Sequence, residues 1–289
     1  MTPDGAGDLL VVVECVSAAA EVVSDRLWSL GAWAIEERST GDAVELRCSF
    51  GDDEAAVSDH LTDRLGDLGC RWRFESVDPS VADTWRSFVG VIAVDEHLSI
   101  RPAWLTPSAP IAPIELVIEP GSTFGLGNHA TTRASLRMLR HALRAGDRVL
   151  DVGTGSGVLA IAAVRLGASH AHGVDITPAS SNVVEYNAIL NEVLGRVTVS
   201  TEPLSTLSAP GGAQRDLARD DGCFDVVVAN ILAPTLIELA DDLVRLTGRV
   251  LVLSGLLDGA YAHVVDRMAP LRLSAIETVD GWVALSLVR

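Results

Sequence analysis

Apolar and polar positions change their rhythm along the chain. From about Thr131 onward, short apolar runs alternate with stretches in which apolar residues recur every three or four positions. That rhythm predicts strands and helices in alternation, the signature of a parallel sheet covered by helices on both faces. The predicted elements are a helix over 131–142, a strand over 148–152, a helix over 158–166, a strand over 170–174 and a helix over 178–191. Strands over 197–200 and 224–229, a helix over 234–246 and a strand over 249–254 follow. The chain then closes in a predicted hairpin, 271–278 with 282–288, joined through Asp280-Gly281, a pair suited to the left-handed positions of a tight turn.

The first 76 residues read differently. Strands over 9–15, 32–37, 43–49 and 71–76 enclose helical stretches over 18–30 and 53–68, a βαββαβ order that predicts a small α+β layer of ferredoxin-like type. Residues 77–84 are polar and predict a linker, and residues 85–130, broken by Pro102, Pro107, Pro110 and Pro113, predict short strands and turns. The expected architecture is a doubly wound α/β domain over 131–289, a bridging segment over 77–130 and an N-terminal α+β domain over 1–76. A length of 289 residues suits one large and one small domain.

Composition narrows the chemistry. No apolar run approaches the roughly 20 residues that a membrane helix needs, and no basic residue precedes the apolar stretch at Leu9, so neither a membrane nor a secretory route is expected and a cytoplasmic one is. Cys15, Cys48, Cys70 and Cys223 lack the short spacing of a metal site or a disulfide framework. The net charge of −17 is poorly suited to neutralising phosphates and well suited to a basic protein partner, so no direct nucleic-acid binding is expected. All cationic side chains are Arg; without Lys, Schiff-base chemistry and a phosphate-loop lysine are excluded.

The chemistry concentrates at predicted strand ends. Asp151-Val152-Gly153-Thr154-Gly155-Ser156-Gly157 leaves a strand and opens into an apolar helix, where glycines permit a tight turn and close approach of a ligand to free N–H groups. The residue that would complete a G-x-G-x-x-G dinucleotide fingerprint is Val158; the spacing is instead G-x-G-x-G, the form common in S-adenosylmethionine enzymes. Asp175, 22 residues beyond Gly153, ends the next strand, placed to accept both hydroxyls of a ribose or, alternatively, to cap the following helix. Asn230 follows the apolar strand 224–229 at the expected ligand crevice, as a reacting-end polar group or a turn former. No aromatic residue stands at 231–233 to stack an extruded base. Upstream, Phe124-Gly125-Leu126-Gly127-Asn128-His129-Ala130-Thr131-Thr132 is a glycine-rich entry to a helix, readable as a flap or as a simple cap, with His129 in either role.

Together these segments, with Gly173-Val174-Asp175-Ile176, Val227-Val228-Ala229-Asn230-Ile231-Leu232-Ala233 and Leu253-Ser254-Gly255-Leu256-Leu257, resemble the ribosomal protein L-eleven methyltransferases of the PrmA type. The resemblance is strong from about Trp85 to Leu257 and reaches the first 76 residues only in layout. It implies a Rossmann-like methyltransferase sheet, S-adenosylmethionine as cofactor bound by Thr132, Gly153, Gly155, Asp175 and Asn230, and no metal. It further implies an N-terminal domain that holds the ribosomal substrate, with methyl groups delivered to lysine and N-terminal amines. Asn128 and Ala130 stand where the family's flap normally has Thr and Pro.

The reaction expected is displacement at the sulfonium methyl by a neutral amine. A lysine with a pKa near 10.4 needs about 4 to 5 kcal/mol to lose its proton at pH 7, so neutral acceptors, Asn230 among them, suit the nucleophile better than carboxylates. Two other readings stand beside this one: a lysine methyltransferase acting on another protein, such as an electron-transfer flavoprotein subunit, and a silent cofactor-binding module.

Overall fold

The structure, a computed structural model, describes residues 9–30, 34–40, 43–49, 58, 61–62, 64–76, 86, 89–121, 126–207 and 223–289. The linker expected over 77–84, Phe124 and Gly125, and most of the polar stretch 205–222 lie outside these residues. The chain divides into two compact units, Met1–Val89 and Gly90–Arg289. Of the stretch 77–130, read from the sequence as linker and bridging segment, the described residues from Gly90 onward fall in the second unit.

The first unit is built on β1 (Leu9–Val16), α1 (Ala20–Ser29), β2 (Ala34–Thr40), β3 (Ala43–Ser49) and β4 (Arg71–Ser76). The strands form an antiparallel sheet in the order β2-β3-β1-β4. Its period-two alternation sorts side chains by face. Val11, Val13 and Cys15 of β1 join Val44, Leu46 and Cys48 of β3 in a core closed by Val23 and Leu27 of α1. Glu14, Glu45, Arg47, Arg73 and Glu75 pair with one another on the other face.

The second unit begins with β5 (Ile92–Ala93), β6 (Leu98–Pro102) and β7 (Ile114–Ile118), a three-stranded sheet in which β6 and β7 run parallel. Then follow α2 (Ala130–Ala142), β8 (Arg148–Val152), α3 (Val158–Arg165), β9 (His170–Val174), α4 (Ala179–Leu190) and β10 (Val197–Ser200). After these come β11 (Phe224–Asn230), α5 (Ala233–Glu238), α6 (Ala240–Leu246), β12 (Thr247–Leu257), α7 (Ala262–Arg267), β13 (Arg272–Val279) and β14 (Trp282–Val288). The seven-stranded sheet has the order β10-β9-β8-β11-β12-β14-β13. From β10 across to β12 each strand is parallel to its neighbour, while β14 is antiparallel to both β12 and β13. Central strands buried on both faces need continuous apolar runs, and Val226, Val227, Val228 and Ala229 are fully buried.

Two expectations from the sequence are corrected. The helix expected over 234–246 is two helices that meet at Leu239, whose ψ of 3° leaves the helical range, and the strand expected over 249–254 runs from Thr247 to Leu257. An apolar period alone does not register a break of one residue when both pieces bury the same side: Leu236, Ala240, Leu243 and Leu246 all enter one core.

Candidate active site

The strand order reverses between β8 and β11, and in open α/β sheets ligands bind beyond the carboxyl ends of the strands at such a point. Val152 pairs with Ala229 in register, so Gly153 and Asn230 leave the sheet side by side. Gly153 has a φ of 72°, and a Cβ built there would lie 2.5 Å from Cγ2 of Ile231. Only glycine fits both the left-handed backbone and the close approach of the neighbouring strand end. Gly155 and Gly157 also take positive φ, and Gly157 opens α3.

The loop is fastened from below and from the side. The N–H groups of Gly153 and Thr154 donate to the Val174 carbonyl at 2.8 and 3.1 Å. Asp175 Oδ2 accepts from Gly155 N at 2.8 Å and its Oδ1 from Thr177 N at 2.9 Å. Asp175 thus fastens the glycine loop to the turn before α4, whose N-cap is Pro178 with no side-chain cap, so the capping role weighed for Asp175 is not the one it takes. The next residue, Ile176, is 95% exposed, an apolar side chain held out beside the carboxylate.

At the other wall, Asn230 Nδ2 donates to Thr132 Oγ1 at 3.4 Å. Thr132 sits in the first turn of α2, which His129 caps: its Nδ1 accepts from Thr131 N at 3.3 Å and meets Thr131 Oγ1 at 2.8 Å. His129 is therefore a helix cap, and its ring packs T-shaped with that of Trp282, the centroids 5.2 Å apart. Burial, with Arg133 nearby, lowers its pKa. Ser254, paired in register with Asn230, reaches the Thr131 carbonyl at 3.2 Å and ties α2 to β12. Gly127, in the described end of the glycine-rich run, has a φ of 99° and lies so close to Ile100 that a Cβ would sit 2.1 Å from its Cδ1.

Beneath the loop, Asp151 is fully buried. Its Oδ2 accepts from Thr154 Oγ1 at 2.7 Å and Ala160 N at 3.1 Å, while Oδ1 has no partner among the described residues. Burial pushes this carboxyl up to about 7, with the charge of Asp175 adding to the shift. Among the described residues no cluster of His, Cys, Asp or Glu could hold a metal ion.

Sequence reasoning named Thr132, Gly153, Gly155, Asp175 and Asn230: Gly153 and Asn230 follow paired residues of adjoining strands, Asp175 bonds Gly155, and Asn230 bonds Thr132. It missed Ile176, Ser254 and the pair Asn187 and Asn191. For the asparagines a signal existed, since both fall on the inward stripe of α4 with Ser180, Val184 and Ala188.

The family model described as ribosomal protein L11 methyltransferase (PrmA) matches residues 73–289, three quarters of the chain. The chain belongs to this family. A ribosomal protein L11 methyltransferase of Syntrophotalea carbinolica is 39% identical over 215 residues, covering 72% of this chain and 66% of the relative. One from Geobacter sulfurreducens is 42% identical over 214 residues, with the same 72% and 66%. The match thus spans just under two thirds of these relatives' own length. The crystal structure of a ribosomal protein L11 methylase from Lactobacillus delbrueckii subsp. bulgaricus superposes with a TM-score of 0.59 at 29% identity, covering 70% of this chain and 99% of that one. All five crevice residues fall within the span matched to the PrmA family, whereas β1 to β3 precede it. The other substrate and the silent module weighed above gain no support from these matches.

Proposed function

We propose that the chain transfers methyl groups from S-adenosylmethionine to lysine or N-terminal amines of ribosomal protein L11. The observation that carries the reading is the meeting of the glycine loop, Asp175 and the Thr132–Asn230 pair at one crevice in a chain of the PrmA family. Gly153 and Gly155 would present the loop to the cofactor, Asp175 would hold its ribose, and Thr132 and Asn230 would line the methyl-donor end. The bound cofactor supplies an electrophilic methyl on sulfur. With Nδ2 turned to Thr132, Asn230 Oδ1 is left to accept from an incoming amine, which attacks as the neutral base. Solvent would take the proton from the methylated ammonium. Alignment at contact distance would supply most of the acceleration.

The antiparallel order β2-β3-β1-β4, with α1 between β1 and β2, supports a ferredoxin-like N-terminal domain, and we assign substrate recognition to it. The net charge of −17 suits a basic protein substrate without direct nucleic-acid contact. Among the described residues no helix is long and apolar enough to cross a membrane, and we place the activity in the cytoplasm.

The test is incubation with labelled S-adenosylmethionine and purified L11, reading the acceptor by mass spectrometry. The chain has no lysine of its own, so lysine-borne label must lie on the substrate. Methylated L11 supports the assignment; tight cofactor binding without label on L11 overturns it.

A further inference from the structure

Asn187, fully buried on α4, spends its side-chain amide on two separate pieces of backbone. Nδ2 donates to the Ser156 carbonyl in the glycine loop at 2.9 Å and to the Glu119 carbonyl at 2.8 Å. Oδ1 accepts from Glu119 N at 2.8 Å. Glu119 directly follows β7 and leads, through Gly121, toward Gly127 and Thr132. The same helix grips both pieces elsewhere. A Cβ on Gly157 would lie 3.0 Å from Val184 Cγ2, and one on Gly121 would lie 3.1 Å from Val183 Cγ2. One turn further on, Asn191 treats Val117 in the same way: its Oδ1 accepts from Val117 N at 2.9 Å and its Nδ2 donates to Val117 O at 2.7 Å. Among the described residues the Asn191 side chain bonds no atom of the glycine loop; it also donates to the Asn187 carbonyl at 2.8 Å.

We propose that Asn187 is a positioning residue that transmits the state of the glycine loop to the backbone that follows β7. This role rests on the cofactor reading of the crevice given above. A ligand that draws on Asp175, to which Gly155 N is bonded, fixes the loop one residue away from the Ser156 carbonyl. The planar amide of Asn187 makes that carbonyl and Glu119 share one rigid fork. Asn187 and its bond to Ser156 are buried, which removes water as a substitute partner at that end, so the fork must follow the loop or leave the amide unsatisfied there. Asn191 secures β7 against α4 but lacks the link to the loop, so it supports the fold without carrying the signal.

The test is amide hydrogen exchange at Glu119 and Val117 with and without S-adenosylhomocysteine, with affinity measured in parallel by calorimetry. In the wild-type protein the ligand is expected to slow exchange at Glu119 about tenfold, the factor that one secured hydrogen bond carries. Asn191→Ala is expected to speed basal exchange at Val117 while keeping the ligand-dependent slowing at Glu119. Asn187→Asp keeps the acceptor for Glu119 N but loses the donations to the Ser156 and Glu119 carbonyls, and is expected to bind the ligand more weakly with its slowing at Glu119 reduced to less than about twofold. Full slowing in Asn187→Asp, or no slowing in the wild type with ligand bound, overturns the coupling and leaves the cofactor assignment standing. Failure of the wild type to bind S-adenosylhomocysteine overturns both.

Discussion

Asn230 at the tip of β11 and Thr132 in the first turn of α2 are 98 residues apart in sequence and joined by a 3.4 Å hydrogen bond. The bond fixes which face of the Asn230 amide looks into the crevice. With Nδ2 committed to Thr132, the carbonyl oxygen is the group that the proposed reaction would offer to an acceptor amine. The same pair joins the helix capped by His129 to the sheet.

Asn230→Ala is therefore expected to lower methyl transfer in a single-turnover assay by roughly 100-fold, the scale of a misplacement of about 1 Å at a reacting centre. Thr132→Val, which removes the acceptor and keeps the shape, is expected to fall between this and the wild type. Wild-type turnover in Asn230→Ala at unchanged cofactor affinity would remove Asn230 from the reaction.

Gly153→Ala meets two obstacles at once. The left-handed backbone costs roughly 1–2 kcal/mol for a residue with a Cβ. The approach of Ile231 at 2.5 Å adds overpacking of about 1–3 kcal/mol. Adding Ile231→Ala relieves the second obstacle alone, so urea unfolding of the double variant is expected to show less loss than the sum of the single ones. Strict additivity would mean that the clash is absorbed elsewhere.

Asp151 gives a pH dependence whose sign follows from burial. Its folded pKa, about 7, lies above the ordinary carboxyl value, so the folded state holds a proton that the unfolded chain has lost. The associated stability is present in acid and disappears as pH rises through about 7. Comparing wild type with Asp151→Asn by denaturant unfolding, the stability difference is expected to shift by about 3 kcal/mol in favour of the variant between pH 5 and 8. A difference independent of pH would mean that Asp151 is ionised throughout.

His172 works in the opposite sense. Its Nδ1 meets Thr198 Oγ1 at 2.9 Å and its Nε2 meets Ser200 Oγ at 3.1 Å, while burial, with His170 nearby, lowers its pKa to about 4. A depressed base contributes stability above the unfolded value near 6.5 and loses it as pH falls toward 4. Relative to His172→Gln, the wild type is expected to lose about 2 kcal/mol between pH 7 and 5. No change in that difference would place His172 in contact with water.

The sequence by itself determined the parts of the site that sit at strand ends. The glycine loop, Asp175 and Asn230 follow apolar runs whose ends are visible in the pattern, and in a doubly wound sheet those ends point to one edge. It also determined the alternation of the second unit, because buried parallel strands and amphipathic helices leave different periods. Tertiary structure alone decided the rest. No local signal states that Thr132 meets Asn230, because the contact exists only once α2 packs across β11, β12 and β14. None states that Asp151 is buried enough to hold its proton, since desolvation depends on what covers a residue and not on its neighbours in sequence. The asparagines of α4 make the same point: their positions are polar breaks in an apolar stripe, and only the arrival of β7 and the glycine loop on that stripe turns them into partners.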